Sequence, residues 1–108
     1  MSRVVIVTSV PAGEGDAVRK AVGETGAGSV GDYTFCSYSY AGTGRFLPGK
    51  GADPEVGEKG KVNIVPEERI EVVCDRAVAR KAVAAIRRVH PYEVPVITIY
   101  EVVEEEEL

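Results

Sequence analysis

The chain has a single histidine, only two cysteines and an excess of acid over base, and each shortage removes a class of function. A membrane-crossing helix needs about 20 consecutive apolar residues, and no run approaches that. The first residues pass directly into Val4-Val5-Ile6-Val7 without cleavable signal architecture, so the cytoplasm is the expected compartment. Cys36 and Cys74 are too few and too far apart for a disulfide framework or a CxxC metal site. They read as buried thiols, Cys36 facing the core from a strand, because free cysteine packs as a small hydrophobe. A net charge of -4 argues against nucleic acid, whose phosphates require a basic surface. What is present is an ordinary globular composition, 44% hydrophobic over 108 residues, enough for one domain spanning 1–108.

Periodicity predicts the elements. Val4 to Val10 is apolar on both alternating faces, as a covered strand would be, and Pro11-Ala12-Gly13 ends it. A helix follows over about Glu14 to Thr25, with Val18, Ala21 and Val22 as its stripe, and Gly26-Ala27-Gly28 stops it. Tyr33 to Tyr40 alternates aromatic and small polar residues as a second strand. Residues 41–60 hold six of the twelve glycines plus Pro48 and Pro54, which predicts a long loop and excludes helix and sheet. Val62 to Cys74 returns as a third strand with Ile70, Val72 and Cys74 on one face. Pro66 cannot donate to a ladder, so pairing should begin after it or bulge around it. Asp75 caps a helix over Arg76 to Val89, whose stripe is Val78, Ala82, Ile86 and Val89. Val94 to Val103 is the fourth strand, and the acidic tail 104–108 is expected to be solvated and frayed.

The order is βαββαβ, an α+β, ferredoxin-like split βαβ sandwich with a long glycine-rich loop between strands two and three. Right-handed crossovers bring three connections to one end: the Pro11–Gly13 turn, the 41–60 loop and the turn His90-Pro91-Tyr92-Glu93. The loop's glycines allow backbone N–H groups to approach an anion or nucleotide. It is not a Walker loop, since no Ser or Thr follows Lys50. Candidate ligand-binding residues are Gly42, Gly44, Arg45, Phe46, His90, Tyr92 and Glu93. His90 either caps the helix end or binds a ligand, and with Glu93 and Glu67 it forms the candidate set for a divalent metal ion. Glu67, Arg69 and Glu71 share a strand face and are expected in ion pairs, across strands or between subunits.

Gly26, Gly28, Gly31, Tyr33, Cys36, the stretch Gly42-Thr43-Gly44-Arg45-Phe46-Leu47-Pro48, Ala52, Pro54, Gly57, Glu67, Arg69, Glu71 and His90-Pro91-Tyr92-Glu93 carry a family resemblance. Together they resemble the CutA/PII-like domain inserted in NIF-three-like proteins, also labelled GTP cyclohydrolase 1 type 2 homologs. The resemblance covers nearly the whole chain. It implies a free-standing copy of the inserted module, trimeric like similar PII and CutA folds, that binds a small molecule or ion and signals through the 41–60 loop. These 108 residues do not include the lobes that carry the histidine and carboxylate cage of those larger proteins, and one histidine is not expected to rebuild a dinuclear site. Cyclohydrolase or hydrolase activity is therefore not carried over. The leading expectation is a non-enzymatic regulatory or interaction module, a homotrimer with a small-molecule, ionic or protein partner. A divalent-metal binder using His90 with a nearby carboxylate is the alternative, followed by an enzyme with an intersubunit site.

Overall fold

A computed structural model describes residues 2–108. The elements are β1 (Arg3–Pro11), α1 (Asp16–Glu24), β2 (Tyr38–Phe46), β3 (Asn63–Asp75), α2 (Arg76–Val89) and β4 (Ile97–Glu101). The strands form one sheet in the order β2-β3-β1-β4, every neighbouring pair antiparallel. Both helices lie on one face, as the split βαβ order requires.

The core forms where alternation along the strands meets the helix stripes. Val4, Ile6 and Val10 of β1 and Ile70, Val72 and Cys74 of β3 are buried together with Val18 and Val22 of α1 and Ala82 and Ile86 of α2. The register explains the shared face, because Ile6 stands opposite Val72 on one side and Ile99 on the other. The stripe of α2 is turned slightly from the expected one. Ala79, Ala82, Ala85 and Ile86 are buried, whereas Val78 and Val89 pack at its margin. Small alanines let this helix settle close to α1.

Several boundaries differ from the sequence reading. The second strand starts at Tyr38 and continues to Phe46, into the stretch expected to hold no sheet. Its ladder with β3 runs unbroken from Tyr38 opposite Glu71 to Phe46 opposite Asn63. Gly42 and Gly44 are poor strand formers, but cross-strand pairing outweighs propensity, and a Cβ at Gly44 would collide with the Glu67 carboxylate. The residues before Tyr38 form a turn in which Val30 and Tyr33 exchange backbone hydrogen bonds. Phe35 adopts a positive φ of 58° there, and its ring lies over Gly23. Cys36 is consequently half-buried in a connection, neither in a strand nor in the core.

Pro66 does not interrupt pairing, since it stands opposite Thr43 within the β2–β3 ladder. Its carbonyl accepts the Ala12 amide, so its nitrogen points to the same side, beyond the last β1 pair at Pro11 and Glu67. No ladder donor is lost. Asp75 occupies the N-cap position of α2 without a side-chain cap bond. The fourth strand is shorter than expected because its pairing with β1 runs only from Ile97 to Glu101. The tail is not frayed at its root. Glu104 receives both Nε and Nη2 of Arg3 at 2.7 Å, and Glu105–Glu107 forms a single 3-10 turn. No helix among the described residues is long and apolar enough to cross a membrane.

Candidate ligand-binding cavity

The sheet face away from the helices is open, and strand alternation determines what stands on it. Ser9 on β1, Glu67 and Arg69 on β3, and Gly44 and Phe46 on β2 all point there, with Val96 just before β4 continuing the pattern. At the end of the sheet where the connections meet, the segment between Phe46 and Asn63 folds over this surface. It borders a half-open cavity of about 390 Å³. The walls are mainly apolar: Phe46, Leu47, Pro48, Pro54 and Val56 from β2 and the loop, and Val94 and Val96 from the segment before β4. That volume lies in the range of small-molecule sites, about 300–1,000 Å³.

The turn after α2 forms the second wall, and its rigidity comes from His90. Pro91 biases the residue before it away from helical geometry, and His90 has φ -67° and ψ 133° as the helix ends. Its ring goes inward, with Nε2 lying 2.9 Å from the Ser9 carbonyl and Nδ1 accepting the Tyr92 amide at 3.1 Å. A carbonyl only accepts and an amide N–H only donates, so the ring is the neutral tautomer with its hydrogen on Nε2. Burial favours that neutral form and lowers the His90 pKa, opposed by the Ser9 carbonyl and the Glu67 charge.

Tyr92 projects from this turn into the cavity wall. Its ring lies 6.3 Å from that of Phe46 and 5.2 Å from that of His90, centroid to centroid. Its hydroxyl donates to the Glu67 carboxylate. Burial, followed by that hydrogen bond, raises the tyrosine pKa well above its ordinary value. Glu93 reaches across the cavity mouth and accepts the Asp53 amide at 2.9 Å, which straps the loop to the turn. Inside the loop, Asn63 accepts the Glu58 amide and donates back to the Glu58 and Lys61 carbonyls. Gly57, at φ 95°, lies against Phe46 where a Cβ would come within 2.9 Å of the ring.

Of the residues singled out in the sequence, Gly44, Arg45, Phe46, Glu67, Tyr92 and Glu93 line the cavity. Gly42 lies further along β2, and His90 sits behind Tyr92 with both ring nitrogens engaged. Among the described residues no group of three histidine, cysteine or carboxylate side chains is placed to hold a metal ion. Among the described residues Glu67, Arg69 and Glu71 make no cross-strand ion pair within the chain. Glu67 takes Tyr92, Glu71 accepts the Tyr40 hydroxyl at 2.7 Å, and Arg69 reaches the Ser9 hydroxyl at 3.3 Å. Sequence reasoning missed Ser9, Glu55, Val56, Val94 and Val96 as cavity residues. The alternation that put Ile97 on the helix face already implied that Val96 points the other way.

No protein-family model matches the chain. It is 47% identical over 97 residues to the GTP cyclohydrolase 1 type 2 homolog of Mycobacterium tuberculosis, covering 90% of this chain and 26% of that protein. A solved Bacillus cereus protein related to NIF3 matches with a TM-score of 0.83 at 34% identity, over 95% of this chain and 26% of that one. The PII-like protein CutA from Nostoc matches all of this chain and 86% of its own, with a TM-score of 0.69 at 20% identity. At that identity the likeness concerns fold alone. The chain spans about a quarter of the length of the curated relatives it matches. Over 90% of its length it is thus homologous to one segment of the GTP cyclohydrolase 1 type 2 homologs, and it has the CutA/PII-like, ferredoxin-like fold.

Proposed function

We propose that this chain is a non-enzymatic, CutA/PII-like binding module whose ligand, a small molecule, occupies the cavity between the β2–β3 loop and the His90–Glu93 turn. The observation that carries this reading is the strap from Asp53 to Glu93 across an apolar cavity. A loop braced by its own hydrogen bonds but tied to the facing turn by one such bond can tighten or release there according to what lies beneath it, and so report occupancy to a protein partner. Functional segments are often long loops on a rigid scaffold, and this one has a rigid scaffold in the sheet. A divalent-metal reading finds less support, because a metal at His90 would displace either the Ser9 or the Tyr92 bond.

The same reading includes self-association. Tyr38, Tyr40 and Tyr100 stand exposed on the sheet face away from the helices. A second copy covering them would bury aromatic surface, and the fold resemblance favours a threefold arrangement. Light scattering on the purified chain checks this, with a trimer expected and a stable dilute monomer contradicting it.

The binding reading is tested by replacing residues 49–60 with a short turn. The β2–β3 pairs up to Phe46 and Asn63 are retained, and loop closure changes by only about 0.6 kcal/mol per doubling of length. The fold should survive, while thermal stabilisation by ligands identified in a small-molecule screen should vanish. Retention of that stabilisation would overturn the reading.

A further inference from the structure

The polar side chains of the cavity divide into those with carboxylate or backbone partners, those exposed to water at its rim (Arg45 and Glu55), and Arg69, which is half-buried. Glu67 accepts the Tyr92 hydroxyl and Glu93 accepts the Asp53 amide. Arg69 stands half-buried on the floor with five N–H donors, yet meets only neutral hydroxyls, that of Ser9 at 3.3 Å and that of Tyr40. The Tyr40 hydroxyl has its pKa raised chiefly by its hydrogen bond to Glu71, opposed by the charge of Arg69 and a hydrogen bond from it. The same-face neighbours of Arg69 along β3 are Glu67 and Glu71, either of which an arginine would ordinarily claim. Each is drawn instead to a tyrosine hydroxyl, and no carboxylate pairs with Arg69 among the described residues. Arg3, Arg19 and Arg76 differ, each closing on a carboxylate at 2.7, 2.8 and 2.6 Å.

A half-buried guanidinium without a counter-ion at the base of an apolar recess is matched by a planar anion on an apolar carrier. The planar fork binds a carboxylate through two parallel hydrogen bonds, and such bonds are about twice as strong as neutral ones. The other charges facing the cavity are Arg45, Glu55, Glu67 and Glu93. Glu67 and Glu93 are already committed to protein donors, and Glu55 lies exposed at the rim. We propose that the cavity selects small carboxylates, with the anion against Arg69 and an apolar body against Phe46, Pro54, Val56 and Val96. This assignment rests on the cavity being the binding site and adds the chemical class of its occupant.

Three probes sharing a benzyl body separate the two claims: phenylacetate, phenylacetamide and phenethylamine, each titrated against the isotope-labelled chain while backbone amide shifts are followed. Phenylacetate should bind at least ~10-fold more tightly than the amide, as one charge-assisted pair implies, and the amine should bind weakest. Arg69→Gln, confirmed folded by its melting curve, should erase the acid-over-amide preference, while Arg69→Lys should keep part of it. Val96→Trp, which fills the recess, should abolish binding of all three. Equal acid and amide affinity in the unmodified chain, a preference for the amine, or an undiminished acid preference in Arg69→Gln would overturn the carboxylate assignment and leave the cavity as the site. Absence of any response at cavity amides to all three probes would overturn both.

Discussion

The two walls of the cavity are built on opposite principles. The His90–Glu93 wall is fixed by a buried imidazole whose two nitrogens bond to separate segments, so the end of α2, the end of β1 and Tyr92 hold one another in place. The wall contributed by the β2–β3 loop is mostly exposed and is tied to the first through Glu93 and the Asp53 amide. The proposed binding role calls for one side that stays and one that yields, and the hydrogen-bond distribution is consistent with both. The difference also assigns the roles of two residues that are close in sequence. His90 braces the scaffold, and Glu93 ties the loop to it.

The largest effect that would sharpen this contrast is expected from His90→Ala. Removing the ring leaves the Ser9 carbonyl and the Tyr92 amide without partners and opens a void beneath Tyr92. A loss of about 2–3 kcal/mol in chemical denaturation is expected. A loss confined to ligand affinity, with stability unchanged, would remove the scaffold role. The same ring gives a pH dependence with a definite sign. Because burial lowers its folded-state pKa, the unfolded chain takes up the proton first as pH falls below about 6.5. The stability contributed by neutral His90 is therefore present above that pH and lost as pH falls through the folded-state pKa. The melting temperature of the unmodified chain should drop over this interval, and that part of the drop should be missing in His90→Gln.

Tyr92→Phe comes next. It keeps the ring against Phe46 and removes the donor to Glu67, with an expected cost of about 1–2 kcal/mol for a bond to a charged acceptor. The phenol's raised pKa adds an alkaline signature. Its stabilisation is complete below about pH 10 and is lost as pH rises through the folded-state value, so the unmodified chain should soften there more than the variant does. A variant as alkali-sensitive as the unmodified chain would show that Tyr92 is not the responsible group. The smallest effect on stability is expected from Glu93→Ala, within about 0.5 kcal/mol, as for other exposed substitutions. Hydrogen exchange at the Asp53 amide should nevertheless accelerate markedly. If exchange were unaltered, the loop would have to be held by something other than this strap.

The sequence carried much of the scaffold in its periodicities and little of the cavity. Helix α2 was legible to the residue, because Asp75 and His90-Pro91 bracket a run with helical spacing, and Val4 to Val10 could be little else than a central strand. The extent of β2 was not legible. Gly42, Thr43 and Gly44 have the composition of a loop, and only the facing residues of β3 make them a strand. Cys36 was misplaced for the same reason, since moving the strand five positions along the chain moved the residue out of it. The convergence of the loop with the His90 turn followed from topology alone. Which charges end up paired did not, because Glu67 and Glu71 are claimed by Tyr92 and Tyr40, one far along the chain and one in a strand whose register the glycines obscured.

The comparison of the two walls rests finally on whether the space between them is where a ligand binds. The most direct measurement is a backbone amide map of the isotope-labelled chain titrated with a small-molecule fragment library. The account predicts that responding fragments shift the amides of Phe46, Ala52, Asp53 and Glu93, with slower exchange in the loop and little change within α2. Fragments that perturb only surfaces remote from the loop, or that bind the cavity while leaving loop exchange unaltered, would contradict it.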